Sequence, residues 1–267
     1  MSTNSEGEDM TGSAGIPQSP DRDGDGPVDR AEEFIQLFNR VEGFLSRLVN
    51  RARYTRFEGL VELASADNAA VRANASALGQ FAKLRNAIVH GDGYPPHIVA
   101  VPSPEALSKF KQVVHEVIEP MPLIPTFKGP VRCFSPNEAL SEALGFMREN
   151  DFSQVVVKQI SGVIRMLTVE GVAWWLADQL DRNQVSAETV KLDSILDLEP
   201  QGGFGIMGPE RTIFDATDAF RSSIHRKATR LYAIVITENG GDQDAPIGFV
   251  TPWDLIHNPR LRQGATG

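Results

Sequence analysis

The chain has 267 residues, 41% apolar and 23% charged, which suits two domains of ordinary size with a normal core. A net charge of −9 excludes a uniformly basic coat for nucleic acid or an anionic membrane. One cysteine, Cys133, excludes a disulfide framework and a thiolate metal cluster. No apolar run approaches the roughly 18–20 residues that span a bilayer, and the polar opening lacks the basic and apolar regions of a signal peptide, so a cytoplasmic protein is expected.

Residues 1–30 carry seven acids against two arginines, with many Gly, Pro and Ser, and are predicted to be a disordered acidic tail. Within and just beyond it, Asp21 to Glu32 follows the EF-hand loop pattern: acids at positions 1, 3, 5, 9 and 12 and glycine at 6. The preceding Ile16-Pro17-Gln18-Ser19-Pro20 cannot form an entering helix. A solvated acidic linker is the simpler reading, with a calcium loop as the alternative; no metal site is assigned.

Residues 31–122 read as an antiparallel helical bundle. Phe34, Leu37, Phe38, Val41, Phe44, Leu45, Leu48 and Val49 make one apolar stripe at three- and four-residue steps. Leu78, Phe81, Ala82, Ile88 and Val89 make a second, ended by Gly91-Asp92-Gly93. A further helix runs from Pro104 to about Ile118, with Ser103 as its N-cap. Arg40, Arg47, Arg51, Arg53 and Arg56 cluster along the sequence, either as an Arg-rich helix suited to an RNA backbone or as a solvated helix face. Pro120, Pro122 and Pro125 predict a stiff connector.

Beyond it the period changes from helical to that of buried strands, at 152–158, 163–168, 231–237 and 247–251. Ser135-Pro136-Asn137-Glu138 reads as the capping box of a helix. Gly202-Gly203-Phe204-Gly205 reads as a flexible loop. The order strand, helix, strand, strand, helix occurs twice, which predicts two modules packed face to face.

This repeat resembles a pair of CBS domains, a Bateman module, over roughly residues 129–262. Copy one carries CFSPNEALSEALGFMREND, SQVVV and GVIRMLTVEGVAWWL; copy two carries RTIFDATDAFRSS, TRLYAIVIT and PIGFVTPWDLI. Gly248-Phe249-Val250-Thr251-Pro252-Trp253-Asp254 matches the family's nucleotide signature. The resemblance implies an adenine nucleotide (AMP, ADP or ATP) or related adenosyl ligand, with no other cofactor required. Thr251, at a helix N-terminus, suits a phosphate, and Asp254 suits a ribose diol. Read from spacing alone, Thr251 and Asp254 also fit a plain capping box. Gly248 belongs to the same signature, and Ile206 and Tyr232 are the implied base contacts. In copy one Thr168 stands where Thr251 stands, but Arg165 replaces the glycine and Gly171 the aspartate, with Glu170 one position off. Trp174, Trp175 and Trp253 are expected to be packing or dimer-contact residues.

Phe81-Ala82-Lys83-Leu84-Arg85-Asn86-Ala87-Ile88-Val89-His90-Gly91 resembles the Arg-x4–6-His motif of HEPN domains, over about residues 31–120. The resemblance implies a metal-independent ribonuclease in which His90 moves protons, Arg85 holds the phosphate and Asn86, on the same helical face as His90, orients the ring. Arg85 and His90 lie about 140° apart on an ideal helix, so the implied site is composite and needs a homodimer. A purely structural role for these three residues is the alternative.

The expectation is therefore an α+β multidomain chain: an acidic tail at 1–30, a HEPN-like bundle at 31–122, CBS copy one with its leading linker at 123–204 and copy two at 205–267. Its function would be regulatory, with a ligand at the CBS pair controlling the bundle, an RNA endonuclease by the HEPN resemblance. The alternative is a non-enzymatic ligand-binding and dimerisation protein whose bundle binds a partner protein.

Overall fold

The computed structural model describes residues 27–50, 56–90, 97–181, 190–199, 202–225 and 230–257. The chain is an α+β multidomain protein: a helical bundle followed by two copies of a β-α-β-β-α unit.

The bundle comprises α1 (Pro27–Leu48), α2 (Phe57–Asp67), α3 (Ala69–Ile88) and α4 (Pro104–Ile118). Helix α1 begins at Pro27, in a first turn where a missing N–H breaks no intrahelical bond, so 27–30 are helical rather than disordered. That start places the last six positions of the EF-hand-like pattern, 27–32, inside a helix, and its first six lie outside the described residues. The phenylalanines of all four helices meet: Phe34 and Phe81 each lie 4.6 Å from Phe110, and Phe38 lies 4.5 Å from Phe57 between ring centroids.

Helix α2 was not anticipated. Its stripe of Phe57, Leu60, Val61 and Ala64 is buried. The arginine cluster does not share one helix, since α1 ends at Leu48 and Arg56 stands just before α2, while Arg51 and Arg53 lie outside the described residues. Helix α3 is capped by Asn68, whose side chain accepts from the Val71 N–H at 2.9 Å. It stops at Ile88, short of the Gly91 stop signal. The β-branched Val89 and then His90 form β1 (Val89–His90), paired antiparallel with β2 (His97–Ile98). Ser103 caps α4 as expected, accepting from the Ala106 N–H at 3.1 Å.

The proline-rich connector carries a short helix, α5 (Leu123–Thr126), and its Leu123 is fully buried. Copy one then contains β3 (Cys133–Phe134), α6 (Leu140–Asn150), β4 (Gln154–Lys158), β5 (Ile164–Thr168) and α7 (Val169–Asp181). The predicted capping box forms a turn instead of opening α6. Glu138 accepts from the Ser135 N–H at 2.6 Å, and the helix starts later, at Leu140. A short α8 (Asp193–Leu196) precedes copy two, which contains β6 (Phe204–Met207), α9 (Ile213–His225), β7 (Ala233–Thr237), β8 (Pro246–Val250) and α10 (Pro252–His257). Phe204 and Gly205 thus belong to a strand, not to a loop.

Each sheet has its first strand parallel and its third antiparallel to a central strand, in the orders β3-β4-β5 and β6-β7-β8. Side chains alternate between faces. Val155 and Val157 pack under the helices of copy one, while Ile234 and Ile236 do the same in copy two. The opposite faces meet in a shared core of Val156, Ile164, Met166, Ala233 and Val235. This is the expected face-to-face packing.

The segments leading into the copies are exchanged. The leader of copy one docks on copy two: the Leu123 N–H donates to Arg211 O at 2.7 Å and the Ile213 N–H to Met121 O at 3.0 Å. The leader of copy two docks on copy one in the same way: the Leu192 N–H donates to Glu138 O at 3.1 Å and the Leu140 N–H to Val190 O at 2.8 Å. Leu123 completes one apolar core, and Leu192, Ile195 and Leu196 complete the other.

Candidate functional site

Copy two brings Thr251 and Asp254 together at the start of α10. Asp254 Oδ2 accepts from the Thr251 N–H and from its hydroxyl, both at 2.7 Å, and the Asp254 N–H lies 3.4 Å from Thr251 Oγ1. This is the reciprocal capping box that the spacing allowed. Both strong bonds use Oδ2, and Oδ1 takes none from a described residue. The exposed carboxylate is thus fixed by the backbone and still has an oxygen to offer.

Gly248 is buried, and its bareness has a packing reason. A Cβ there would overlap the Phe127 carbonyl oxygen of the docked leader and press on Ile236 and Ile124. The signature glycine therefore serves the close approach of the 121–129 segment. Tyr232 lies just before β7, at the sheet end that holds Thr251. Its N–H donates to Gly203 O at 2.8 Å and its ring lies 5.5 Å from the Arg230 guanidinium. Ile206, on β6, pairs with Val235 of β7 and packs in the shared core with Phe249. It also lines a cavity of about 690 Å³ with Arg211, Asp215, Asp218, Ser222 and Asn239, on the α9 side and not beside Asp254.

Copy one holds its threonine in an unanticipated way. Thr168 is buried, and its hydroxyl accepts from the Gly171 N–H at 3.0 Å. The carboxylate that meets Thr168 comes from Glu199, in the segment between the copies. Glu199 Oε1 accepts from the Thr168 N–H at 2.6 Å and Oε2 from its hydroxyl at 2.9 Å. Burial pushes the Glu199 carboxyl up, as does the Glu170 charge; the two Thr168 bonds and the Arg165 charge oppose this. Arg165 donates to Leu196 O at 2.6 Å, tying down the same segment. A cavity of about 290 Å³ opens between Arg165, Thr168, Glu199, Gly202 and Phe204. Glu199 was missed because it lies far from Thr168 in sequence. The available signal was an acid in the leader of copy two set against a missing acid at Gly171.

In the bundle, Arg85 is half-buried beneath the exposed Asn86. Its Nε is buried without a hydrogen-bond partner among the described residues, and its guanidinium lies 6.0 Å from the Phe38 ring centroid. Arg85 and Asn86 line a cavity of about 270 Å³ with Phe38, Glu42, Arg56 and Glu58. His90 lies on β1, beyond the end of α3. Asn86 and His90 therefore do not share a helical face, and the pairing expected from a continuous helix is corrected by that break.

No family model matches the sequence, and no curated protein matches it. Among solved structures, the chain is similar to the CBS domain of a CBS-domain-containing membrane protein from Sphaerobacter thermophilus, with 15% identity and a TM-score of 0.40, over 57% of this chain and 96% of that one. It is also similar to a CBS-domain-containing protein from Agrobacterium tumefaciens, with 17% identity and a TM-score of 0.36, over 48% and 82%. A CBS-domain protein from Thermoplasma acidophilum matches with 17% identity and a TM-score of 0.37, over 51% and 67%. These likenesses span about half the chain. Among the described residues, no helix is long and apolar enough to cross a membrane.

Proposed function

We propose that the chain is a regulatory protein in which the C-terminal pair, read as CBS domains, binds an adenine nucleotide or related adenosyl ligand at copy two and controls the helical bundle. The observation that carries this reading is the arrangement of Asp254: Thr251 fixes one carboxylate oxygen and the other is left to a vicinal diol. Contacts between the bundle and copy two support this coupling. The leader of copy one, which follows α4 directly, docks in the core of copy two, and α3 packs against α9. A ligand that favours one arrangement of copy two over another shifts the bundle by that difference in affinity.

The bundle is read as a HEPN-like output domain. The cavity at Arg85, Asn86 and Arg56 supports an RNA-directed role, since a half-buried arginine whose Nε has no partner among the described residues suits a phosphate. His90 is the proton-moving group of that reading. A homodimer belongs to it as well: Trp174 on α7 and Trp253 on α10 are exposed, which suits a surface covered by a second copy.

Calorimetric titration with AMP, ADP, ATP and S-adenosylmethionine tests the sensor. Binding is expected in the wild type and lost in Asp254→Ala; no binding, or equal binding by both, overturns it. Single-stranded RNA incubated in EDTA with wild type, Arg85→Ala and His90→Ala tests the output. Absence of cleavage with and without nucleotide leaves the bundle as a non-enzymatic module that dimerises or binds a partner protein.

A further inference from the structure

The exchanged leaders place Glu199 in a position with a definite counterpart. Leu123 and Leu192 are the buried leucines of the two leaders, and Phe127 and Leu196 each lie four residues further on. The Phe127 carbonyl meets Gly248, while the Leu196 carbonyl accepts from Arg165, the residue aligned with Gly248. Three residues beyond these carbonyls stand Pro130 and Glu199. Copy two thus has a carboxylate on its helix, at Asp254, and a proline in its leader. Copy one has glycine on its helix, at Gly171, and a carboxylate in its leader. A Cβ built on Gly171 would fall within the Glu199 carboxylate, so the two positions compete for one space.

We infer that Glu199 takes over, from the leader of copy two, the carboxylate position that Gly171 leaves vacant, and so closes copy one with an internal anion. The consequence is a difference between the copies. Asp254 holds its threonine with one oxygen and keeps the other. Glu199 spends one oxygen on the Thr168 N–H and the other on its hydroxyl, inside a half-buried site. The carboxylate at Thr168 is left with no oxygen free of its threonine, and of the two threonine sites among the described residues only that of copy two keeps one for a diol. Glu199 is a positioning residue for Thr168 and for the segment between the copies. The closure of copy one to a nucleotide rests on the ligand reading proposed above; the placement of Glu199 does not.

A double-mutant cycle in thermal unfolding of the full chain reads that placement without any ligand. Glu199→Ala is expected to lower the melting temperature by about 2–4 °C. In a Gly171→Asp background the new side chain displaces Glu199 and meets Thr168 itself, so adding Glu199→Ala changes little. An equal loss in both backgrounds overturns the inference. Should Gly171→Asp fail to fold, the cycle of Glu199→Ala with Thr168→Val replaces it. Valine removes the hydroxyl bond and keeps the backbone one, so partial non-additivity is then expected, and full additivity overturns the inference. In calorimetric titration with AMP, one nucleotide per wild-type chain and two per Gly171→Asp/Glu199→Ala chain are expected; two per wild-type chain overturn the closure. If no form binds AMP, the nucleotide reading fails, while the unfolding cycle still decides the place of Glu199.

Discussion

Arg72 on α3 donates to the Asp218 carboxylate on α9 at 2.9 Å, and the same guanidinium donates to the Ser65 and Ala66 carbonyls in the last turn of α2. One side chain thus ends a helix of the bundle and ties the bundle to copy two. Both partners of the ion pair are well exposed, so the pair alone contributes about 0.2–1 kcal/mol. The bonds to helix-end carbonyls add to it, because those groups have no intrahelical partner. Arg72→Ala is expected to lower the melting temperature more than Asp218→Ala. It should also speed amide exchange where α2 packs on α3, as read by mass spectrometry. Equal effects in the two variants would show that Arg72 acts through Asp218 alone.

Asp254 has two roles that a conservative change separates. Asparagine keeps a carbonyl oxygen able to accept from Thr251 but loses the charge and the second acceptor. Asp254→Asn is expected to retain most of the cap, and Asp254→Ala to lose about 1 kcal/mol of stability. Both variants are expected to lose adenine-nucleotide affinity. Calorimetry beside thermal unfolding checks the split, and nucleotide affinity that follows stability would reduce Asp254 to its cap.

Gly248→Ala asks whether the docked leader requires a bare backbone. The added methyl would meet the Phe127 carbonyl, which belongs to backbone and cannot swing aside. A cost of about 1–3 kcal/mol is expected, as for overpacking of a tight core. The new methyl should also loosen the 121–129 segment. Limited proteolysis is expected to cut near Lys128 sooner in the variant than in the wild type.

Glu199 gives stability a definite dependence on pH. Its folded carboxyl is raised, chiefly by burial and then by the Glu170 charge, with Arg165 and the Thr168 bonds opposing. Between the ordinary glutamate value and the raised one, the native state holds more protons than the unfolded state, so stability falls as pH rises through that window. Relative to Glu199→Gln, the wild type is expected to gain stability as pH is lowered from neutral into the window. Below the ordinary value the gain is complete. Melting temperatures of the two proteins measured from about pH 7 down to about pH 4 check the sign, and parallel curves would contradict it.

Much of the fold was legible because local period and global packing agree. The valines of β4 and the apolar run of β7 have a strand's length and β-branching, and each is buried on both faces. The α1 stripe and the Ser103 cap were equally readable. The misreadings share one cause: the deciding contact lay elsewhere in the chain. Val89 continues the helical stripe in sequence and its N–H still donates to the Arg85 carbonyl, but its backbone then turns extended and pairs in register with Ile98. Glu138 accepts from the Ser135 N–H as in a capping box, but the Ser135 hydroxyl accepts from the Asn137 N–H and no helix follows at once. Thr251 and Asp254 could be found because their chemistry lies within four residues. Glu199 could not be placed beside Thr168, because the neighbourhood of those residues is created only when β5 and the inter-copy segment meet.

The exchanged leaders also govern the order in which the protein can assemble. Leu123 is made before any residue of either copy, yet the core that buries it contains Ile213, Phe220 and Val250. Copy one, by contrast, receives Leu192, Ile195 and Leu196 soon after its own last helix. As the chain emerges from the ribosome, copy one can therefore close first. The apolar leader ahead of it stays unburied until the strands of copy two have been made, so the bundle gains this link to the pair only after copy two has emerged.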